Sequence, residues 1–372
     1  MVAAALASIA ASPRIADVDP PAPTDPHVVR AGEALASMTS TERISQLVMT
    51  SVPGTTLAPR DAKVLRATRL GGIILFANNY RSDPQLRAFT RAIQAANPGT
   101  LISIDQEGGV VRRLPRAAPT RSHPQLGATN RPALTRAQGA ATARSLTSLG
   151  IQLDLAPVAD LDIAPRRVMR ERSFGSVPLR VATHVGAFID GLHDGGGAAA
   201  VKHFPGFGGA TVNSDDALAR VSRTRAQLLA ADLRPFRTAV ARDVDAVMMS
   251  HGVYAAVDRR RPASTSPAAY RLLRVTLGYE GVAITDALHA AGFRVAARVS
   301  PAAGCVPVVR AGADIALLTG TLAEAVACRR LLVAAVAGGT IPQARIDEAA
   351  LRVLVVKSRQ GLLAAAPTPA PE

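Results

Sequence analysis

The sequence predicts an α/β protein built as a single-domain (β/α)8 TIM barrel. Three observations predict it. Eight short apolar or β-branched runs recur along the 372 residues, with helical stretches between them. The runs are apolar without alternation, as strands of a parallel sheet covered on both faces are. Polar groups collect where the runs end, which is where a barrel keeps its chemistry. An open doubly wound sheet is the rival, but no GxGxxG opens a helix after a strand, which weakens its dinucleotide-binding form.

The runs are ISQLVMTSV with its core at 45–52, LGGIILF at 70–76, TLISID at 100–105 and IQLDLAPVADL at 151–161. They continue with AAAVKHF at 198–204, DAVMMSH at 245–251, GVAITDA at 281–287 and ADIALLTG at 313–320. Helical stretches are predicted over 82–96, 133–149, 178–195, 224–242, 266–277, 300–311 and 321–337. A last one, over 342–362, starts after Pro342 and follows the eighth strand. The strand ends offer Asn78 and Asn79, Asp105 and Glu107, Asp160 and Asp162, Lys202 and His203, Ser250 and His251, and Asp286. A single such residue is an ordinary cap or loop hydrogen bonder. Polar groups at this many strand ends on one rim instead suit a polyhydroxylated ligand.

Composition narrows the function. With 48% hydrophobic and 19% charged residues the chain is too apolar to be mainly disordered. The formal charge of +15 invites a nucleic-acid reading. However, only Lys63, Lys202 and Lys357 among its 43 basic residues are Lys, and the Arg are scattered, with short runs at 112–113, 166–167 and 259–261. Aromatics for base stacking make up only 3%. No nucleic-acid partner is expected, although a basic surface would tolerate an anionic polymer such as a cell wall. No HxH or clustered Asp–His set appears, so neither a metal nor another cofactor is expected.

The ends divide the chain into a leader over 1–30, a barrel over 31–363 and a disordered tail over 364–372. Residues 3–11 are small and apolar and precede a Pro-rich spacer, like the end of a secretory signal without its basic start. The expected location is therefore secreted or envelope-associated, or cytoplasmic if this start is only an Ala-rich end. No stretch of 18 uninterrupted apolar residues predicts a transmembrane helix, and a monomer is expected. Cys305 and Cys328 fall in helical patterns and read as two buried thiols. A disulfide would suit an exported protein.

The strand ends carry motifs that resemble glycoside hydrolase family 3, in particular its single-domain β-N-acetylglucosaminidase branch, which trims peptidoglycan fragments. ISIDQEGGVVRRL (102–114) is similar to the family's D-Q-E-G-G-R-V-x-R-L stretch, LAPVADLD (155–162) to its A-P-V-x-D and RERSFGSVP (170–178) to its E-R-S-F-G-x-D-P. VKHFPGFGGATVNSDD (201–216) is similar to its K-H-F-P-G-H-G loop, and GYEGVAITDAL (278–288) to its G-F-x-G-V-x-x-T-D-x-L segment. The resemblance runs from about residue 35 to 362. It implies a retaining mechanism with Asp286 as nucleophile, forming a covalent glycosyl-enzyme. It implies that Asp105, Arg113, Arg172, Lys202 and His203 hold the sugar, through charge-assisted hydrogen bonds. Structural ion pairs are the competing reading for Arg113 and Arg172, and a packed strand histidine for His203. Arg112 aligns less well and reads as solvent-facing. The implied substrate is an N-acetylglucosamine-containing glycan or muropeptide, with a β-glycoside of another sugar as the alternative.

The sequence departs from the family at the proton donor. The family loop carries D-S-H, whose His, paired with that Asp, is the general acid/base. Asn213-Ser214-Asp215 stand there instead, Phe207 replaces the His of P-G-H-G, and no His lies between His203 and His251. Three readings stay open. Asp215, or its neighbour Asp216, is the acid/base, with an acidity weakened by burial and nearby carboxylates. Alternatively the enzyme serves only good leaving groups, or it is a non-catalytic sugar binder. In all three the Gly-rich GFGGA stretch (206–210) is expected to keep the loop mobile.

Overall fold

The computed structural model describes residues 25–165 and 168–363. Eight parallel strands form one sheet: β1 Val48–Ser51, β2 Gly72–Leu75, β3 Leu101–Ile104, β4 Leu153–Asp154, β5 Ala198–Phe204, β6 Ala246–Met249, β7 Val282–Thr285 and β8 Ala316–Leu317. Each pairs with its sequence neighbour from β1 to β7, and β1 also pairs with β8. A parallel bridge between Ile284 and Ile315 joins β7 to the start of β8 and closes the ring. The predicted barrel is the observed one.

The strands need no alternation because both faces are covered: β2, β3, β6 and β7 are buried at every residue. Met49, Ile74, Leu101, Leu153, Ala198, Ala200, Ala246, Met248, Val282, Ile284 and Leu317 pack together inside the barrel. Val353 and Val356 of the last helix join this inner cluster. The two-residue period then fixes what enters the mouth. Leu101 leads to Asp105, Ala200 to Lys202 and Ile284 to Asp286, each an even number of residues further along.

Six of the eight predicted helices begin and end within one residue of the prediction or close to it. Five of them start where Ser or Thr accepts a backbone N–H, as Ser82, Ser300 and Thr321 do, or where Pro occupies the first turn, and the last follows Pro342 without a side-chain cap. The stretch predicted over 224–242 is broken by a π turn at Leu228–Asp232, and the one over 266–277 continues from Pro267–Arg271 into a π turn at Leu272–Thr276. Five helices are additional: Pro26–Ser37, Ser40–Gln46, Pro59–Thr68, His123–Thr129 and Ala291–Ala297. Residues 26–30, assigned to the leader from sequence, thus open the first helix, which Asp25 caps through the His27 N–H at 2.8 Å. The rest of the leader, the 364–372 tail and the Arg166-Arg167 pair lie outside the described residues.

Two sequence expectations need correction. Cys305 and Cys328 are joined in a disulfide, with Cα atoms 5.8 Å apart, and are not two thiols. The bridge ties helix Pro301–Ala311 to helix Leu322–Ala337 on either side of β8. The GFGGA stretch is packed, not loose. Phe207 and Ala210 are buried, and a Cβ on Gly208 would fall 1.9 Å from the Leu161 carbonyl oxygen. Glycine serves close backbone approach there.

Candidate active site

A cavity of about 260 Å³ opens at the C-terminal mouth of the barrel. All seven residues singled out from sequence line it: Asp105, Arg113, Arg172, Lys202, His203, Asp215 and Asp286. They come from β3, β4, β5 and β7 or the segments after them.

Lys202 is the hub of the charged network. Its Nζ lies 2.6 Å from Asp105 Oδ1 and 2.7 Å from Glu107 Oε1, with the side chain almost fully buried. Burial works against the ammonium, but Asp105 and Glu107 outweigh it and hold Lys202 above its ordinary 10.5. Arg172 forks onto Glu107 with Nε–Oε2 at 3.0 Å and Nη2–Oε1 at 2.7 Å. Burial of Glu107 favours its neutral form, yet Arg172 and Lys202 hold its carboxyl far below the ordinary range. Arg172 is therefore a structural ion pair that also lines the cavity. Arg113 approaches Asp105 at 3.8 Å and lies 5.7 Å from the centre of the Phe76 ring. Arg112 is not free in solvent: it donates to the Ala117 carbonyl at 2.7 and 3.2 Å.

Behind this layer sit groups that the sequence did not single out for the site. Asp160 is fully buried and accepts from His203 Nδ1 at 2.6 Å and from the Phe207 N–H at 2.6 Å. His203 Nε2 then faces Arg172 Nη2 at 3.4 Å. His123 Nδ1 donates to the Arg172 carbonyl at 3.0 Å, and its ring stacks on Phe174 with centroids 4.2 Å apart. Burial pushes its pKa down to about 4, so it is a neutral donor at ordinary pH. Glu107 was legible, two residues beyond Asp105 at a strand end. His123 carries no local signal and enters only through tertiary packing.

Asp286 and Asp215 bring two carboxyls into the same cavity. Asp286 Oδ1 accepts the Ala287 N–H at 2.7 Å, and the Ala287 carbonyl accepts from His251 Nε2 at 3.0 Å. Burial alone would raise the Asp286 carboxyl. The imidazoles of His203 and His251 and the Ala287 N–H outweigh it, and Asp286 lies below the ordinary aspartate value of 3.8. Asp215 moves the other way. Partial burial first, and the Asp286 charge second, raise it above 3.8, although the residue keeps an exposed side. Its loop is docked across the mouth: the carbonyls of Ser214 and Asp215 accept from Gly292 N at 2.9 Å and Ala291 N at 3.1 Å. Asp216 does not line the cavity, which separates it from Asp215.

Another histidine–carboxylate pair lies nearby, with His289 Nε2 3.2 Å from Glu324 Oε1. Because Thr319 donates its N–H to His289 Nδ1 at 3.1 Å, that nitrogen is an acceptor and Nε2 carries the proton toward Glu324. Both ring nitrogens are engaged, and His289 braces the rim. Among the described residues no group of three or more His, Cys, Asp or Glu is placed to hold a metal ion.

A barrel with a carboxylate at the end of β7, a second carboxyl facing it and a polar cradle beside both has the parts of a glycoside hydrolase. The family model of the glycosyl hydrolase family 3 N-terminal domain matches residues 39–356. The chain belongs to this family and is a glycoside hydrolase. It is 36% identical over 282 residues to a β-hexosaminidase of Pseudomonas aeruginosa, covering 73% of this chain and 85% of that protein. A β-hexosaminidase of Alkalilimnicola ehrlichii is 36% identical over 283 residues, covering 73% and 80%. The structure is similar to a family 3 β-N-acetylglucosaminidase from a Paenibacillus species, with a TM-score of 0.84 and 34% identity. That match covers 90% of this chain and only 65% of the Paenibacillus chain. The β-N-acetylhexosaminidase of Beutenbergia cavernae matches with a TM-score of 0.79 and 29% identity, over 87% of this chain and 99% of that one.

Proposed function

We propose that the protein is a retaining exo-β-N-acetylglucosaminidase acting on cell-wall fragments, with Asp286 as nucleophile and Asp215 as acid/base. The observation that carries the reading is the opposed acidity of two carboxyls in one cavity: Asp286 is held as the anion and Asp215 is shifted toward the acid. The glycone rests on Asp105, Arg172, Lys202 and His203. An Asp286 oxygen attacks the anomeric carbon as the bond to the aglycone oxygen breaks, and Asp215 gives that oxygen its proton. Asp215, now the anion, then takes a proton from water, which attacks the anomeric carbon and releases Asp286. The names of the similar hexosaminidases support the 2-acetamido sugar. The disulfide supports an oxidising compartment at the envelope or outside the cell, where the protein works as a monomer.

Turnover of an aryl N-acetyl-β-glucosaminide tests the nucleophile. Asp286→Asn lowers kcat by about 10³-fold or more, and a 5-fluoro glycoside leaves an adduct on Asp286 in mass spectra of the wild type. Equal rates and no adduct would leave a sugar-binding homologue. Asp215→Ala should lower kcat/KM for poor leaving groups by about 10²-fold or more and spare activated aryl ones. A uniform small effect on both rejects Asp215.

A further inference from the structure

The floor of the barrel, at the end away from Asp286, concentrates positive charge. Arg271, Arg274, Arg345 and Arg352 line one cavity of about 220 Å³ there, and Glu348 is the one carboxylate among the described residues that line it. Arg271 ends helix Pro267–Arg271, and Arg274 lies in the π turn that continues it. Arg345 and Arg352 stand two turns apart on the last helix, Gln343–Arg359. Beneath them Asp314 is fully buried just ahead of β8, and its carboxylate also accepts the Ala283 N–H of β7 at 2.8 Å. The cavity shares no lining residue with the reaction cavity.

The charges there do not balance. Arg274 reaches Asp314 at 2.6 Å and Arg352 at 3.3 Å, and Arg345 bonds it as well. Arg345 and Arg352 also share Glu348, Arg352 at 2.6 Å. Two carboxylates thus face three guanidinium groups. Glu280 gives Arg352 only its backbone carbonyl, at 3.0 Å, and its side chain lines a neighbouring cavity. Arg271 is the fourth arginine. It is exposed, with no hydrogen bond or ion pair among the described residues. The surplus is two positive charges. Donors outnumber acceptors too, since Arg345 Nε is buried without a partner. Burial, together with the charges of Arg352 and Arg345, pushes the Arg274 guanidinium below its ordinary value although Asp314 opposes this. At Arg345, Asp314 and Glu348 outweigh burial, so the shortage of negative charge falls on the side of Arg271 and Arg274. An ion network that only braces the fold accounts for Asp314 and its three partners. It leaves unexplained a fourth, unpaired arginine in the same concave site.

The surplus selects a ligand. Guanidinium forks suit carboxylate and phosphate alike. A carboxylate brings two oxygens and one charge. A phosphate monoester brings three oxygens and about 1.5 to 2 negative charges at neutral pH, which matches the surplus. Three oxygens also let one group bond Arg271 and Arg274 together, which stand three residues apart on one helical face. We propose that this cavity is a phosphate site, holding inorganic phosphate or the phosphoryl group of a monoester, with Arg271 and Arg274 as its principal donors. The site stands apart from the glycosidase chemistry and does not depend on the roles of Asp286 and Asp215.

Titration calorimetry at neutral pH and fixed ionic strength tests it, with inorganic phosphate, glycerol 1-phosphate and acetate as probes. The wild type should bind one phosphate per chain, saturably, and acetate about 10-fold or more weakly. Arg271→Ala should weaken phosphate about 10-fold or more, since it removes charge-assisted donors. Arg271→Glu puts a carboxylate at the opening and should abolish binding. Because Arg271 is exposed and unpaired, both variants fold, which a urea midpoint equal to the wild type's verifies. Glycerol 1-phosphate bound as tightly as phosphate, or more tightly, supports the site and assigns it to an ester. Inorganic phosphate bound about 10-fold tighter supports it and assigns it to the free ion. Absence of saturable phosphate binding overturns the proposal, and so does equal affinity in all three proteins or acetate bound as tightly as phosphate.

Discussion

At the scale of single residues, the proposed acid/base, one carboxyl where the family keeps a histidine dyad, sets the expected pH behaviour. A carboxyl serves as a proton donor only if its environment holds the proton, and burial beside Asp286 shifts Asp215 that way. The signs follow from the two shifts. As the proposed nucleophile Asp286 must be ionised, and its carboxyl lies below 3.8, so activity falls only as the pH drops through that lowered value. As the proposed acid Asp215 must be protonated, and its carboxyl lies above 3.8, so activity falls again as the pH rises through the raised value. The kcat/KM of a disaccharide should therefore trace an acidic bell. Asp215→Ala, assayed on an activated aryl substrate, should keep the acid limb and lose the alkaline one. An alkaline limb that persists unmoved in this variant assigns it to another group. Asp286 was legible because a matched segment and the two-residue period of β7 agree. The support under the sugar site was legible only in part. The buried acceptor of His203, Asp160, is recognisable as a strand-end carboxylate, but nothing in the local pattern joins it to a histidine 43 residues away.

At the scale of elements, strands and most helices followed from patterning because apolar runs and capping residues are local signals. What patterning missed had tertiary causes. Only two residues of the 151–161 run form a regular strand, and beyond them Ala156, Pro157 and Ala159 still bond to β5 through their backbone, outside a regular ladder, with Asp160 then accepting from His203. Helix Pro59–Thr68 lacks a side-chain cap and has few buried residues, so it left a weak trace. The disulfide was undecidable from sequence because its condition is a Cα–Cα distance, set by how two helices flank β8. Cys305 and Cys328 are 23 residues apart. Closing a loop of that length in the unfolded chain contributes about 3 kcal/mol. The Cys305→Ala/Cys328→Ala double variant should lose stability of that order in denaturant titration, with the urea midpoint shifted and aryl-glycoside kcat/KM nearly unchanged. A midpoint equal to the wild type's would show that the packed helices already supply the constraint.

At the scale of the whole molecule, the formal +15 divides into charge that the fold consumes and charge that it displays. Arg274, Arg345 and Arg352 converge on the fully buried Asp314 at the start of β8, and Arg172 is spent on Glu107. Arg223 is paired with the buried Asp232 at 2.8 Å. These arginines are spent inside the fold, where they organise the barrel. The remaining excess still gives the molecule a positive field. Such a field speeds encounter with an anionic polymer and is screened over a Debye length of about 8 Å at physiological salt, shrinking to about 3 Å at 1 M. Ionic strength should therefore separate two kinds of substrate. For an acidic cell-wall fragment, kcat/KM should fall several-fold between about 0.05 and 0.5 M salt, chiefly through KM. For a neutral aryl N-acetyl-β-glucosaminide it should stay level, because the short charged contacts around Lys202 and Glu107 are buried and poorly screened. Equal salt slopes for the two substrates would mean that the surplus charge plays no part in bringing substrate to the barrel mouth.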